Sequence, residues 1–293
     1  MTDIPNDKRG MDFGSAFAIM DPVTTELLNT VDADWLFDDT IIDRYVERYE
    51  QWINTTKNNT ISGLDQFKFK CFSNGTTESF DKFYMKNASR RFRCFRGEYM
   101  YHKLAWRDKF NWKWIEDSRL DKNDAVVISL PFADTGNKHI DMEFILHNCS
   151  AMGIPVLVDC AYFGLCNGID FNFNHSCITD ITFSLSKTFP VANARVGIRF
   201  TREDNDDTLF VYQKIHYNNK IAAGLGLEFL NQFPPDYIYN KYSAIQKQIC
   251  KKLNVDASQT VLFGIDTTNQ YPEYNRGSIT NRLSFHKQYI KGL

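Results

Sequence analysis

Ser184-Leu185-Ser186-Lys187-Thr188-Phe189-Pro190-Val191-Ala192-Asn193-Ala194-Arg195-Val196-Gly197 is the stretch on which the reading of this chain turns. It follows the apolar β-run TDITFS (179–184), so its lysine stands just past the end of a buried strand. Hydroxyls lie one and three residues before Lys187, and Arg195 comes eight residues after it, where the next strand begins. A lysine in a partly desolvated site has a lowered pKa and can condense with an aldehyde. Two serines and an arginine beside it can hold a dianionic phosphate through charge-assisted hydrogen bonds. Taken alone, Ser-x-Ser-Lys would be a surface turn; the whole string is far more specific.

Upstream, strand and helix signals alternate. Residues 91–96 are strand-like, 124–130 (DAVVISL) form an apolar run, 140–152 read as a helix, and 154–159 (IPVLVD) and 196–201 (VGIRFT) are further strands. Short Val- and Ile-rich runs separated by helix-length pieces predict an α/β fold, a mainly parallel sheet sandwiched by helices. Helices are predicted at 22–31 and 40–54, where Ile41, Tyr45, Tyr49 and Trp52 recur at helical spacing. Phe67, Phe69 and Cys71 alternate with polar residues as in a strand and run into Asn74-Gly75-Thr76-Thr77, with a helix next. Backbone N–H groups at such a helix start make an anion site, although N-G-T-T is also an ordinary capped turn. Two longer helices, 217–232 and 236–253, precede a short strand at 260–264 and a last segment at 279–285. Residues 1–20 read as a loosely structured arm, 21–215 as the large domain, and 216–293 as a small α+β lobe. The charged run TREDNDD (201–207) reads as a solvated turn without a role.

The string SLSKTFPVANARVG resembles the cofactor-lysine motif of fold-type I pyridoxal-phosphate enzymes, specifically the class I/II aminotransferases: S-x-S-K, an Arg eight positions on, then Val-Gly. The resemblance spans about residues 65–286 in the family's order. It implies pyridoxal 5'-phosphate as cofactor, Lys187 as the Schiff-base lysine and proton shuttle, and Ser184, Ser186 and Arg195 as phosphate ligands. Ile154-Pro-Val-Leu-Val-Asp159-Cys-Ala-Tyr162 is similar to the family's strand ending in D-x-A-Y. There Asp159 would pair with the pyridine nitrogen and keep it protonated, so that the ring acts as an electron sink, and Tyr162 would donate to the ring oxygen. By the same resemblance Asn74, Gly75 and Thr76 form the phosphate loop, and Tyr99 in Gly97-Glu98-Tyr99-Met100-Tyr101 stacks on the cofactor, with Tyr101 as the alternative. Asn281-Arg282-Leu283-Ser284 looks like the strand whose arginine grips the substrate carboxylate in a bidentate fork.

The pattern fails in one place. Where the family carries N-P-T-G, this chain has Ala133-Asp134-Thr135-Gly136, so the asparagine that also contacts the ring oxygen is an alanine. The chain is short for a member of that family, and the expected trimming falls mainly on the small lobe. The expected activity is transamination of an amino acid. A pyridoxal-phosphate lyase or decarboxylase of the same fold is the alternative, and a non-catalytic relative is disfavoured by the joint presence of Lys187, Asp159 and Arg195. A homodimer is expected from the resemblance.

Composition sets the outer bounds. The 293 residues are 43% hydrophobic and 24% charged with net charge −2, which leaves no electrostatic case for nucleic acid or an anionic membrane as partner. The many aromatic residues argue against disorder. No stretch has the length of a membrane-spanning helix, and the polar start MTDIPNDKRG leads into no apolar signal core, so a cytoplasmic protein is expected. The seven cysteines form no CxxC pair and the histidines do not cluster; buried reduced thiols and no metal site are expected.

Overall fold

The computed structural model describes residues 13–204 and 207–291. Its strands are β1 (Thr60–Ser62), β2 (Phe69–Ser73), β3 (Arg91–Cys94), β4 (Trp112–Trp114), β5 (Asp124–Ser129), β6 (Val156–Cys160), β7 (Asp170–Asn172), β8 (Ile178–Ser184), β9 (Gly197–Thr201), β10 (Asp256–Ala257), β11 (Phe263–Asp266) and β12 (Asn281–Ser284). The helices are α1 (Pro22–Glu26), α2 (Ile41–Asn54), α3 (Thr76–Lys86), α4 (Met100–Trp106), α5 (Met142–Met152), α6 (Thr208–Lys214), α7 (Lys220–Gln232), α8 (Tyr237–Leu253) and α9 (Gln288–Lys291).

Seven strands form one sheet in the order β2-β9-β8-β6-β5-β3-β4. All neighbours pair parallel except around β9, which runs antiparallel to both β2 and β8. The period-2 alternation of the strands serves two cores. Val126, Ile128, Val156, Val158, Ile181 and Phe183 face a large core with α2 and α7, whereas Ala125, Val127, Leu157 and Phe92 face a second one with α3 and Trp106 of α4. The expected mainly parallel sheet sandwiched by helices is therefore what forms. Parallel strands covered on both faces explain why the runs at 124–129 and 156–160 are apolar throughout.

Two helices clamp the chain behind the sheet. The α2 aromatics Tyr45 and Trp52 donate to the carbonyls of Gly197 (3.0 Å) and Phe233 (2.7 Å), tying α2 to β9 and to the end of α7. At the C-terminus, β10, β11 and β12 make a small antiparallel sheet. Buried Gln246 of α8 fastens it by donating to the carbonyls of Ser258, Thr260 and Phe263. The third strand, β12, is thereby held with its buried arginine toward the large sheet.

Three expectations need correction. The helix expected over 22–31 stops as α1 at Glu26 and continues as a single 3-10 turn, Leu27–Thr30, because Thr24 and Thr25 are weak helix formers and Thr30 turns its hydroxyl onto the Leu27 carbonyl (2.8 Å). The strand expected at 260–264 forms later, at Phe263–Asp266, because Gln246 holds the carbonyls of 258 and 260 in a turn. The run 201–207 is not merely solvated: Asp207 caps α6 and pairs with Arg199, whose buried guanidinium also takes Asp180 at 2.6 Å. Asn205 and Asp206 of that run lie outside the described residues.

Candidate active site

In a parallel sheet, ligand-facing residues collect at the carboxyl ends of the strands. Here Ser73, Ser129 and Ser184 end β2, β5 and β8, Asp159 is the next-to-last residue of β6, and Gly197 begins the antiparallel β9 at the same edge, paired with both Ser73 and Ser184. The turn after β8 carries Lys187 to this edge.

Burial and charge there bear on both titrating groups. Asp159 is buried with one backbone donor, the N–H of Ala161 at 3.1 Å. Burial first, and then the neighbouring Glu98 charge, push its carboxyl up to about 8, against the pull of Lys187. Burial, followed by the positive Arg282, brings Lys187 down to about 8, partly offset by Asp159. Lysine and aspartate thus sense each other's charge at this edge of the sheet, and the lysine loses its proton near pH 8.

Two sequence-distant loops meet at the candidate anion site. Gly75 precedes α3 with φ 75° and ψ 178°, a conformation essentially reserved for glycine. An added Cβ there would come within 2.6 Å of Nη2 of Arg195, so the guanidinium lies directly on this glycine. Arg195 is itself held at φ 60° and donates to Oγ1 of Thr77 at 2.8 Å. Ser184 and Ser186 are buried beside it, their hydroxyls 2.8 Å apart, with Ser184 also within reach of the Val196 carbonyl at 3.0 Å. Thr76 is buried as the first residue of α3. Asn74 is otherwise engaged: its backbone N–H and side-chain amide both donate to Oε2 of Glu78 (2.7 and 3.1 Å), closing the helix start.

Tyr99 and Tyr101 stack at 6.1 Å, but Tyr101 gives its hydroxyl to Asp81 while Tyr99 feels the charges of Asp159 and Arg195. Tyr99 is therefore the ring that faces the pocket. Tyr162 is buried edge-on to Phe263 at 5.2 Å and adjoins Arg282. Arg282 is buried over the ring of Phe263 at 4.5 Å; its Nη1 donates to the Ala133 carbonyl at 2.6 Å and its Nη2 to the Gly14 carbonyl at 3.3 Å. Its Nε has no partner among the described residues. A buried guanidinium with an unmet donor and one long bond is suited to an incoming carboxylate.

Several site residues escaped the sequence reading. Residues 13–20 of the expected loose arm pack against the site: Phe13, Ala18 and Ile19 are buried, the Ala16 carbonyl accepts from Nζ of Lys187 at 2.5 Å, and the Phe17 ring lies 5.5 Å from that nitrogen. Residues 1–12 of that arm lie outside the described residues. Glu98 is buried beneath Tyr99 and accepts from the N–H of Tyr99 (2.9 Å) and from the N–H (2.9 Å) and hydroxyl of Ser129. Asp134, which replaces the family's proline, is turned away toward Ser278 (2.5 Å), Thr280 (3.2 Å) and Arg276 (3.5 Å). Thr77 alone carried a signal, its place in N-G-T-T. The seven cysteines are buried and free, and no cluster of metal-binding side chains occurs among the described residues. None of the described helices is long and apolar enough to cross a membrane.

No family model matches the chain, and no curated protein does. Solved structures do. A histidinol-phosphate aminotransferase from Clostridium acetobutylicum superposes with a TM-score of 0.66 over 95% of this chain and 96% of its own, at 13% identity. A tyrosine aminotransferase from Leishmania infantum gives 0.68 over 96% and 92%, at 14% identity. The chain has the aminotransferase-like fold. A PLP-bound C-S lyase from Staphylococcus hominis shares it too, with a TM-score of 0.66 over 96% of this chain and 90% of its own, at 10% identity. At such identities the likeness speaks for the fold, and the chemistry must come from the residues described above.

Proposed function

We propose that this protein is a pyridoxal-phosphate-dependent enzyme acting on an amino acid, most simply an aminotransferase. The observation that carries the reading is the meeting of Lys187 and Asp159 on neighbouring strand ends with Arg195 laid on Gly75. The donor set fits the cofactor: an arginine, two serine hydroxyls and a helix start for a dianionic phosphate, a carboxyl for a ring nitrogen, and an amine for an aldehyde.

When bound, the cofactor supplies an aldehyde that takes up an amine and a ring that accepts the electrons of a bond broken at the α-carbon. The chain's own residues do the rest. Arg195, Ser184, Ser186 and the first N–H groups of α3 anchor the phosphate. Asp159 would hold the cofactor's pyridine nitrogen protonated by a charged hydrogen bond. Tyr99 would cover the ring face and Tyr162 would donate to the ring oxygen. Arg282 takes the α-carboxylate, exchanging its long bond to Gly14 for a charge-assisted one. Lys187, with its pKa brought down to about 8, carries the α-proton at Nζ once the Ala16 carbonyl releases it. Burial of Asp159, Ser184, Ser186 and Arg282 keeps water from those side chains.

A homodimer belongs to this reading, and the large apolar side chains left exposed at Phe37, Ile140 and Phe144 are consistent with a further covering surface. A cytoplasmic setting belongs to it as well. A lyase is the second reading, favoured by Ala133, which removes one contact that would tune the ring oxygen. The test is to add pyridoxal 5'-phosphate to the purified protein, follow the visible spectrum, reduce with borohydride and map the modified peptide. Modification of Lys187 is expected. Labelling of another lysine, or no uptake, refutes the assignment. Product analysis with an added oxo acid then separates transamination from elimination.

A further inference from the structure

A solvent-open cavity of about 420 Å³, a volume within the range of small-molecule pockets, adjoins the site and shares Glu98 and Tyr99 with it. Its walls carry three cations, Arg96, Lys103 and Arg276, along with Trp114, Tyr99 and Glu98. The single acid is committed elsewhere, since Glu98 turns its oxygens onto Ser129 and the Tyr99 N–H. Arg96 is paired with Asp117 at 2.5 Å. Lys103 leans on the Trp114 ring at 5.8 Å and has no carboxylate partner among the described residues.

Arg276 is held only loosely. Its Nε stands 3.5 Å from Oδ1 of Asp134, too far for a good hydrogen bond, and both atoms lack a partner among the described residues. The other oxygen of Asp134 is taken by Ser278 and Thr280. No hydrogen bond from the two terminal nitrogens of Arg276 exists among the described residues. The turn that presents it is braced, because the side-chain amide of Asn275 donates to the carbonyls of Ser278 and Thr280 and to the side chain of Asn281. The charge of Arg276 is felt at Lys187, Arg282, Glu98 and Tyr99, which puts it on the rim of the same site.

We infer that this cavity receives the substrate's side chain and that Arg276, backed by Lys103, binds an anionic group at its far end. The substrate class is then an amino acid with two acidic ends: the α-carboxylate on Arg282 and a distal carboxylate or phosphate monoester on Arg276. A neutral side chain would give the terminal nitrogens of Arg276 and the Lys103 ammonium no charged partner in the cavity, which disfavours it. A planar guanidinium on a braced turn is arranged for the two parallel bonds that either anion accepts. The inference rests on the proposed function and deepens it.

The experiment uses the pyridoxal-phosphate-loaded protein and reads binding as well as turnover. Aspartate, glutamate and O-phosphoserine are titrated against asparagine, glutamine and serine by the change in the cofactor spectrum. Succinate, which has no amine to react, is compared with butyrate by calorimetry. The acids should bind roughly ten- to hundredfold tighter than their neutral partners, and the better of the carboxylate and phosphate series names the source. Arg276→Gln should erase that preference, the acids losing roughly ten- to hundredfold more affinity than their neutral partners. Lys103→Gln, at an exposed position that folding tolerates, should reduce it in the same direction and keeps the test decisive if Arg276→Gln does not fold. Equal binding of acids and amides by the parent, or equal weakening of both by these variants, overturns the inference while the function stands. Failure to take up cofactor, or to respond to any amino acid, overturns the proposed function and this inference with it.

Discussion

Gly75→Ala probes the anion cradle at its tightest point. The backbone at Gly75 has φ 75° and ψ 178°, where an L-residue with a side chain is strained by about 1–3 kcal/mol. The new methyl would lie 2.6 Å from Nη2 and 2.9 Å from Cζ of Arg195. Those atoms are the tip of a flexible side chain, so the contact is relieved by moving the guanidinium, which then loses its 2.8 Å bond to Thr77. The stability loss should therefore stay near the strain term, about 1–3 kcal/mol. The larger effect should be on cofactor affinity, because a displaced guanidinium forfeits a charged hydrogen bond to phosphate, about 1.5–3 kcal/mol or roughly ten- to hundredfold in Kd. Urea unfolding measures the first quantity and spectral titration with pyridoxal 5'-phosphate the second. Gly153→Ala is the control: Gly153 has φ 65° with nothing within 4 Å of an added Cβ, so it should lose about 1–2 kcal/mol of stability and no cofactor affinity. Should Gly75→Ala bind the cofactor as tightly as the parent, Arg195 and Gly75 do not hold the phosphate.

Two further predictions follow from the charged groups. The Asp159 carboxyl is raised from an ordinary 3.8 to about 8, so between those pH values the cofactor-free folded chain keeps a proton that the unfolded chain releases. Its contribution to stability is full below about pH 4 and is lost as pH rises to about 8. Asp159→Asn should accordingly gain in Tm relative to the parent between about pH 5 and about pH 8, and lose most turnover when loaded with cofactor; a pH-independent difference in Tm, or near-normal turnover, removes Asp159 from its role. Arg282→Lys should weaken amino-acid binding roughly ten- to hundredfold without altering the resting cofactor spectrum, because lysine cannot reproduce the bidentate fork. Amines lacking a carboxylate should be far less affected, and equal treatment of both classes would mean that the α-carboxylate lies elsewhere.

Local chemistry was enough for the sheet strands and for the loop lysine. The runs 124–129 and 156–160 announce covered parallel strands because both of their faces are buried, and alternation or its absence is a property of a few adjacent residues. Lys187, Asp159, Gly75 and Arg195 were legible as candidates because each belongs to a short string whose residue types and spacing restrict the chemistry it can perform. Ser129, Glu98 and Arg276 carried no such signal. Glu98 enters the site only because β3 lies beside β5, so that the loop after β3 reaches the end of β5 and meets the N–H of Ser129. Arg276 acquires its open position only where the turn before β12 meets Asp134, 142 residues earlier in the chain. The segment around Ala16, unmarked in composition, lies on Lys187 across 171 residues. Sequence therefore determined which segments form strands and which residues could do chemistry, since those follow from neighbours along the chain. Which of them share a pocket, which charges stay unpaired and which pKa values move were decided by the tertiary structure, because burial and Coulomb interaction depend on distance in space.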